Sequence, residues 1–182
     1  QFKIHNQDII LFSNLIVEQG GKLDIENVTF TSKNSVEGVR LLGGSNTIKN
    51  SKFMGLSPLL LKNLDNSTII ENIIVANSPG DGIILDGGDI NLTDITIENA
   101  SMNLIKSDNH TGKVTNLQFV VNKKVNSLIK SDTTIFENVT LSGEFKSDKM
   151  VIGTPVDINV DSKLLLVEDF ELNGNLLIES AE

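Results

Sequence analysis

The chain has 182 residues, 39% of them hydrophobic, with 21 Asn and 14 Gly but no Cys, Trp or Tyr. This composition is too apolar for a disordered chain and rich in strand and turn formers, and the absence of Cys excludes disulfides and a cysteine nucleophile. Twenty-four acidic and 15 basic residues give a net charge of -9, a sign that disfavours nucleic acid and anionic lipid as partners.

The first 20 residues precede the first clear repeat. Their apolar residues predict one N-terminal coil or cap. These residues are Phe2, Ile4, residues 9–12, Leu15 and Val17. The longest apolar runs of the chain are far shorter than the roughly 20 residues of a membrane helix. We therefore expect no membrane insertion and treat residues 1–182 as a single domain.

From residue 21 to residue 152 the sequence repeats about every 22 positions. Each repeat contains an apolar residue, any residue, Asn, two further residues and a second apolar residue, as in the segment from Ile25 to Phe30. The polar anchors of this template fall at Asn27, Asn50, Asn72, Asp94, Asn116 and Asn138. This spacing predicts a solenoid of regular coils.

A second apolar cluster follows each anchor by 9 to 15 residues, and Gly, Asn, Ser and Asp lie between the clusters. A 22-residue period is too short for a four-stranded blade, no apolar stripe has helical spacing, and the leucine-rich template is not met. Two or three short strands per turn, at about 3.3 Å per residue, account for the period. The sequence therefore predicts a parallel β-helix.

Three segments, 46–53, 67–73 and 80–85, resemble the right-handed parallel β-helix repeats of the pectate-lyase-like superfamily. That superfamily includes many surface, adhesin-like and polysaccharide-processing proteins. The resemblance covers roughly residues 15–152 and implies an all-β, right-handed parallel β-helix with about 22 residues per coil. It implies a fold rather than an activity, because such repeats support several functions.

Equivalent residues of successive coils stack about 4.8 Å apart in columns. We expect the columns that begin at Ile25 and Phe30 to face inward. The anchors from Asn27 to Asn138 are expected to form a buried Asn ladder at a turn, in which each amide bonds to the next coil. The alternative is a stripe that binds a ligand or metal, which is less favoured because buried polar groups need partners for stability.

The best candidate for a metal site is the acidic group Asp81, Asp86 and Asp89, because Ca²⁺ prefers carboxylate and turn carbonyl ligands. Their spacing matches neither an EF-hand loop nor the Gly-rich nonapeptide repeat. Asp beside Gly is also ordinary turn chemistry. The favoured interpretation is that the chain binds no metal and no cofactor.

The sequence predicts no catalytic residues. Hydrolases of the resembled superfamily use carboxylates on neighbouring coils, and its lyases use Ca²⁺ with a basic residue. The hydrolase signatures are absent, Arg40 is the only Arg, and His5 and His110 lie far apart in the sequence. Lys106 and Asp108 are interpreted as a solvated charge pair.

Residues 153–182 lose the regular spacing and are expected to form less regular coils or a cap. No helical cap is evident at either end, although solenoids need covered ends. The leading hypothesis is a non-enzymatic structural or adhesive β-solenoid, outside the cell or on its surface. Its partner would be a second copy bound end to end, flanking coils of a longer chain, or a host or cell-surface ligand. The alternative is a carbohydrate-active enzyme or polysaccharide-binding module.

Overall fold

The computed structural model describes residues 1–34, 38–122, 124, 125, 127–131, 133–142, 145–147, 150–152, 156–160, 164–166, 170–172 and 176–180. For residues 124, 127 and 141, and for the described residues after 142, the structure describes only the backbone. None of the described residues lies in a helix.

Strands of successive coils form two long sheets. Sheet A has nine strands, in the order β1 (Phe2–Leu11), β3 (Leu23–Ser32), β5 (Thr47–Met54), β7 (Ile69–Ser78), β9 (Leu92–Ala100), β11 (Lys113–Val120), β14 (Ile135–Ser142), β17 (Val156–Val160) and β20 (Leu176–Ser180). Sheet B has six strands, in the order β2 (Leu15–Val17), β4 (Val39–Leu41), β6 (Leu59–Leu64), β8 (Ile83–Gly88), β10 (Asn103–Asp108) and β13 (Ser127–Ser131).

Two smaller sheets complete the C-terminal coils. One joins β12 (Lys124–Val125), β15 (Phe145–Ser147) and β18 (Leu164–Leu166), and the other joins β16 (Met150–Ile152) and β19 (Phe170–Leu172). Every pairing within these four sheets is parallel. The predicted all-β parallel solenoid, with its regular repeat from coil to coil, is therefore confirmed, and its right-handed winding stays a prediction.

Sheet A keeps the repeat more strictly than sheet B does. From β5 to β14 the offset between paired residues is constant, and equivalent side chains such as Asn50 and Asn72 are 22 residues apart in the sequence. In sheet B the offset varies, since Leu15 pairs with Val39 but Val39 pairs with the nearer Leu59. The turns absorb this variation, so that sheet A is the part of the fold in which sequence columns and structural columns coincide.

The core is filled by three columns from sheet A and by the inward residues of sheet B. In β3, Ile25, Val28 and Phe30 are all buried, and the rings of Phe30 and Phe53 stack at 5.4 Å. The two predicted inward columns are buried at every position from Ile25 onward whose side chain the structure describes. The structure adds the column of Val28 between them, which the template left unassigned.

The last coils are shorter than those before them. Val139 pairs with Ile158 and Val156 pairs with Leu176, and both offsets are smaller than the constant offset between β5 and β14. The segment 156–160 alternates apolar and polar residues and lacks the template in which two residues separate the Asn anchor from the next apolar position. Residues 156–160 and 176–180 thus continue sheet A at a shorter period.

The register predicts how charge is tolerated on β7. Ile70→Asp places a carboxylate in an inward column and should cost about 4 kcal/mol or more of the free energy of unfolding, because a buried charge without a partner is costly. Ile74→Asp, on the outer face of the same strand, should cost about 1 kcal/mol or less. Chemical denaturation of both variants measures the difference, and equal losses would contradict the register.

Candidate functional site

The six predicted ladder residues share one left-handed backbone conformation within sheet A, with φ between 51° and 57°. Hydrogen bonds from side-chain Nδ2 to Oδ1 join neighbours in the column: Asn27 to Asn6 (3.0 Å), Asn72 to Asn50 (2.8 Å), Asn116 to Asp94 (2.7 Å) and Asn138 to Asn116 (3.0 Å). Asn6, with a φ of 55°, begins the column one coil earlier than predicted. The signal was present, because the segment 4–9 fits the template.

The expectation that this ladder is buried is wrong, because its side chains are exposed. A left-handed residue interrupts the alternation of a strand, so Glu26 and Asn27 both lie outside between the buried Ile25 and Val28. Asn and Asp adopt this conformation more readily than other residues that carry a Cβ. Every non-glycine residue with positive φ in the described chain is Asn or Asp, so the column serves the backbone path.

The predicted calcium candidates do not converge on one point. Asp81 accepts hydrogen bonds from the backbone N–H (3.0 Å) and the side-chain Nδ2 (2.6 Å) of Asn103. Asp86 forms an ion pair with Lys62 at 2.7 Å, and Asp89 is exposed. Among the residues that the structure describes, no three His, Asp or Glu side chains are grouped closely enough to hold a metal ion.

Lys106 lies on the outer face of sheet B and contacts Asp108 at 2.8 Å. The hydrogen bond and charge of Asp108 raise the pKa of Lys106, and the charges of Asp81 and Asp86 act in the same direction. A lysine with a raised pKa holds its proton at neutral pH. The pair with Asp108 therefore stabilises the charged form of Lys106.

A polar cluster that the sequence reasoning missed lies inside the solenoid. His110 is fully buried, with Nε2 3.0 Å from the carbonyl oxygen of Ile90 and Nδ1 2.9 Å from Oγ1 of Thr134. Because a carbonyl oxygen only accepts hydrogen bonds, Nε2 of His110 carries the proton and donates a hydrogen bond to the carbonyl oxygen of Ile90. The hydroxyl of Thr134 also contacts the hydroxyl of Ser107. The cluster links the turn after β10 to the coils on both sides and is closed to solvent.

A shallow groove of about 380 Å³ opens beside β7. Its lining includes Asn66, Asn91 and Glu71, and Glu71 is the only carboxylate among the described residues that line it. That carboxylate lies 2.9 Å from the Lys49 ammonium. Hydrolysis of a glycosidic bond by the usual route needs two carboxyl groups, so the groove does not supply that pair.

The first described coil has strand edges and large apolar side chains on its outer side. β1 is the terminal strand of sheet A and β2 the terminal strand of sheet B. A groove of about 440 Å³ between them is lined by Phe2, Leu15 and Val17 among other residues. Large apolar side chains remain exposed on this coil, since Phe2 and Phe12 are 62% and 70% exposed.

Ion pairs fasten the first coil to the second. Asp24 of β3 lies 3.2 Å from Nε2 of His5 and 3.3 Å from Nζ of Lys3. The proximity of His5, together with that of Lys3, lowers the pKa of Asp24. This contribution to stability is present above the unfolded-state pKa and is lost as the pH falls through the lowered folded-state value.

Comparisons of the chain with protein-family models, curated proteins and solved structures find no match. The resemblance to the pectate-lyase-like superfamily therefore stays an interpretation of the repeats. In the part of the chain that the structure describes, no helix is long and apolar enough to span a membrane.

We expect folding to be independent of Ca²⁺, because Asp81 and Asp86 already have protein partners. Thermal unfolding of the chain in excess EDTA and in millimolar Ca²⁺ should give midpoints within about 1 °C of each other, since a ligand that does not bind the native state leaves its stability unchanged. A midpoint several degrees lower in EDTA would contradict this expectation.

Proposed function

We propose that this chain is a non-enzymatic structural or adhesive β-solenoid that acts outside the cell or on its surface. It would serve as a stalk, an adhesin segment, or a building block of a surface layer or fibre. The observation that carries this proposal is the regular stacking of parallel coils, which in the described chain ends at the edge strand β1 beside exposed apolar side chains. An end of this kind is completed by another coil.

The partner in this proposal is protein: a second copy that meets the chain end to end, or flanking coils of a longer chain. An edge strand pairs readily with another strand, because its outer backbone N–H and C=O groups otherwise bind only water. For an adhesive β-solenoid, a ligand on a host or cell surface is a further kind of partner. The net charge of -9 argues against nucleic acid.

The polar clusters support a structural role. Asp81 is bound by Asn103, Asp86 by Lys62, Lys106 by Asp108 and the buried His110 by Thr134. Groups that satisfy one another stabilise the coils and are not poised to bind substrate. The outer ladder of amides likewise follows from the backbone conformation.

The alternative, a carbohydrate-active enzyme or polysaccharide-binding module of the pectate-lyase-like superfamily, has one feature in its favour. The groove beside β7 presents the side chains of Asn66, Asn91 and Glu71, which are groups that bind sugar hydroxyls. Without Trp or Tyr, the chain lacks the flat aromatic platforms that pack against sugar rings.

Hydrogen exchange at two protein concentrations tests the proposal. In dilute solution the amides of β1 should exchange faster than those of β7 and β11, because the edge strand is paired on one side only. At high concentration, where light scattering reports association, the β1 amides should gain protection. A monomer at all concentrations, with β1 as protected as the central strands, would contradict the proposal. Release of reducing ends from polygalacturonate or a neutral polysaccharide would support the enzyme instead.

A further inference from the structure

The two long sheets of the solenoid differ in charge. The strands of sheet A carry four basic and nine acidic residues. The strands of sheet B carry four basic residues and two acidic ones, which are Arg40, Lys62, Lys106, Lys130, Asp86 and Asp108. Sheet B is therefore a positively charged side of a chain whose net charge is -9.

One column of outward side chains runs along the middle of sheet B. Arg40 lies between the buried Val39 and Leu41, so its side chain faces outward. The pairing register places it in one column with Ile16, Leu60, Ile84, Lys106 and Lys130. This sheet B column combines aliphatic with basic side chains, and its Ile16 is 44% exposed.

Two cations of the sheet B column have no carboxylate partner among the described residues. Lys106 is held by Asp108, whereas neither Arg40 nor Lys130 forms an ion pair with a residue that the structure describes. Nε of Arg40 is also closed to solvent and makes no hydrogen bond within that part of the chain. A guanidinium pairs well with the two oxygens of a carboxylate. Both cations are therefore available to the carboxylates of another molecule.

We propose that the sheet B column, from Arg40 to Lys130, binds an extended acidic segment of a partner protein. This inference rests on the proposed adhesive function and specifies its partner. One carboxylate of the segment pairs with Arg40 and another with Lys130, and apolar side chains between them cover Leu60 and Ile84. The aliphatic middle of the column favours a protein segment over a phosphate polymer or a polysaccharide, because apolar side chains gain from covering it.

The register sets the spacing of the acidic residues in that segment. Arg40 and Lys130 are four strand pairings apart, a distance of about 19 Å at the usual spacing of paired strands. An extended chain advances about 3.3 Å per residue, and alternate side chains point the same way. Carboxylates six positions apart therefore reach both cations, and the two side chains between them on the same face lie over the middle of the column.

A designed peptide tests this inference. The probe is Glu-Ser-Leu-Ser-Leu-Ser-Glu with blocked ends, titrated into the isotope-labelled chain and followed by the NMR shifts of the backbone amides. Shifts should change in β4, β6, β8, β10 and β13 and stay constant in the central strands of sheet A. Arg40→Gln and Lys130→Gln should each raise the dissociation constant roughly threefold, because each removes one charged contact.

Reversal of the charges tests the pairing itself. The double variant Arg40→Glu with Lys130→Glu should lose binding of the probe, because two attractive contacts become repulsive. It should instead bind the peptide Lys-Ser-Leu-Ser-Leu-Ser-Lys, in which the pairs are restored in reverse. Thermal unfolding of each variant checks the fold, and Lys130 is exposed, so its single variant is expected to keep the original midpoint.

The matched control is Lys52→Gln, which removes an exposed cation from the outer face of β5 in sheet A. It should leave the dissociation constant of the probe unchanged. The inference is overturned if the probe does not bind, if the lysine peptide binds the original chain equally well, or if Lys52→Gln weakens binding as much as Arg40→Gln does. Self-association that Arg40→Gln abolishes would also overturn it, because a second copy would then occupy the column. These outcomes leave the structural role standing, since release of reducing ends and protection of the β1 amides test that role separately.

Discussion

The left-handed residue in the middle of each long sheet A strand is the constraint on which the rest of the coil depends. A strand that alternated strictly could not bury Ile25, Val28 and Phe30 together, since positions 25 and 28 would face opposite sides. Asn27 adopts a φ of 54° and thereby places two consecutive residues outside. Because a Cβ normally makes this conformation costly, the position selects Asn or Asp in every coil from Asn6 to Asn138.

The same constraint orders the surface and the ends. Repeating one residue type at a fixed spacing stacks its amides into a ladder along the outside, and the inward columns on both sides of it become continuous stacks. Where the Asn template stops after Asn138, the strand offset becomes shorter, as the pairing of Val139 with Ile158 shows.

Much of this fold could be predicted from the sequence because stacking repeats a local pattern. The Asn spacing gave the coil length, and apolar residues at Ile25 and Phe30 gave the inward columns. The exposure of the ladder could not be read from the spacing, since Asn is found both at buried turns and in left-handed positions on the surface. The buried His110 was also missed, because the equivalent positions one period away are Gly88 and Asp132, which give no inward signal.

Function was less accessible than fold for a physical reason. The repeat is explained by stacking alone, so a position in a column carries little information about a ligand. Charged residues such as Asp81 and Asp86 form hydrogen bonds or ion pairs with residues one coil away, and these partners become adjacent only on folding. The open edge of β1 likewise becomes visible only when the pairing order is known.

The central claim, that the anchor position is set by a left-handed backbone, is tested most directly by unfolding free energies of Gly, Ala and Val variants at Asn116 and at Gln118. Both residues are exposed on β11, and Asn116 has a φ of 56°. At Asn116 the loss should be smallest for Gly, about 1 kcal/mol larger for Ala and larger again for Val. At Gln118 the order should be reversed, with Val tolerated best and Gly worst. The same order at both positions would contradict the account.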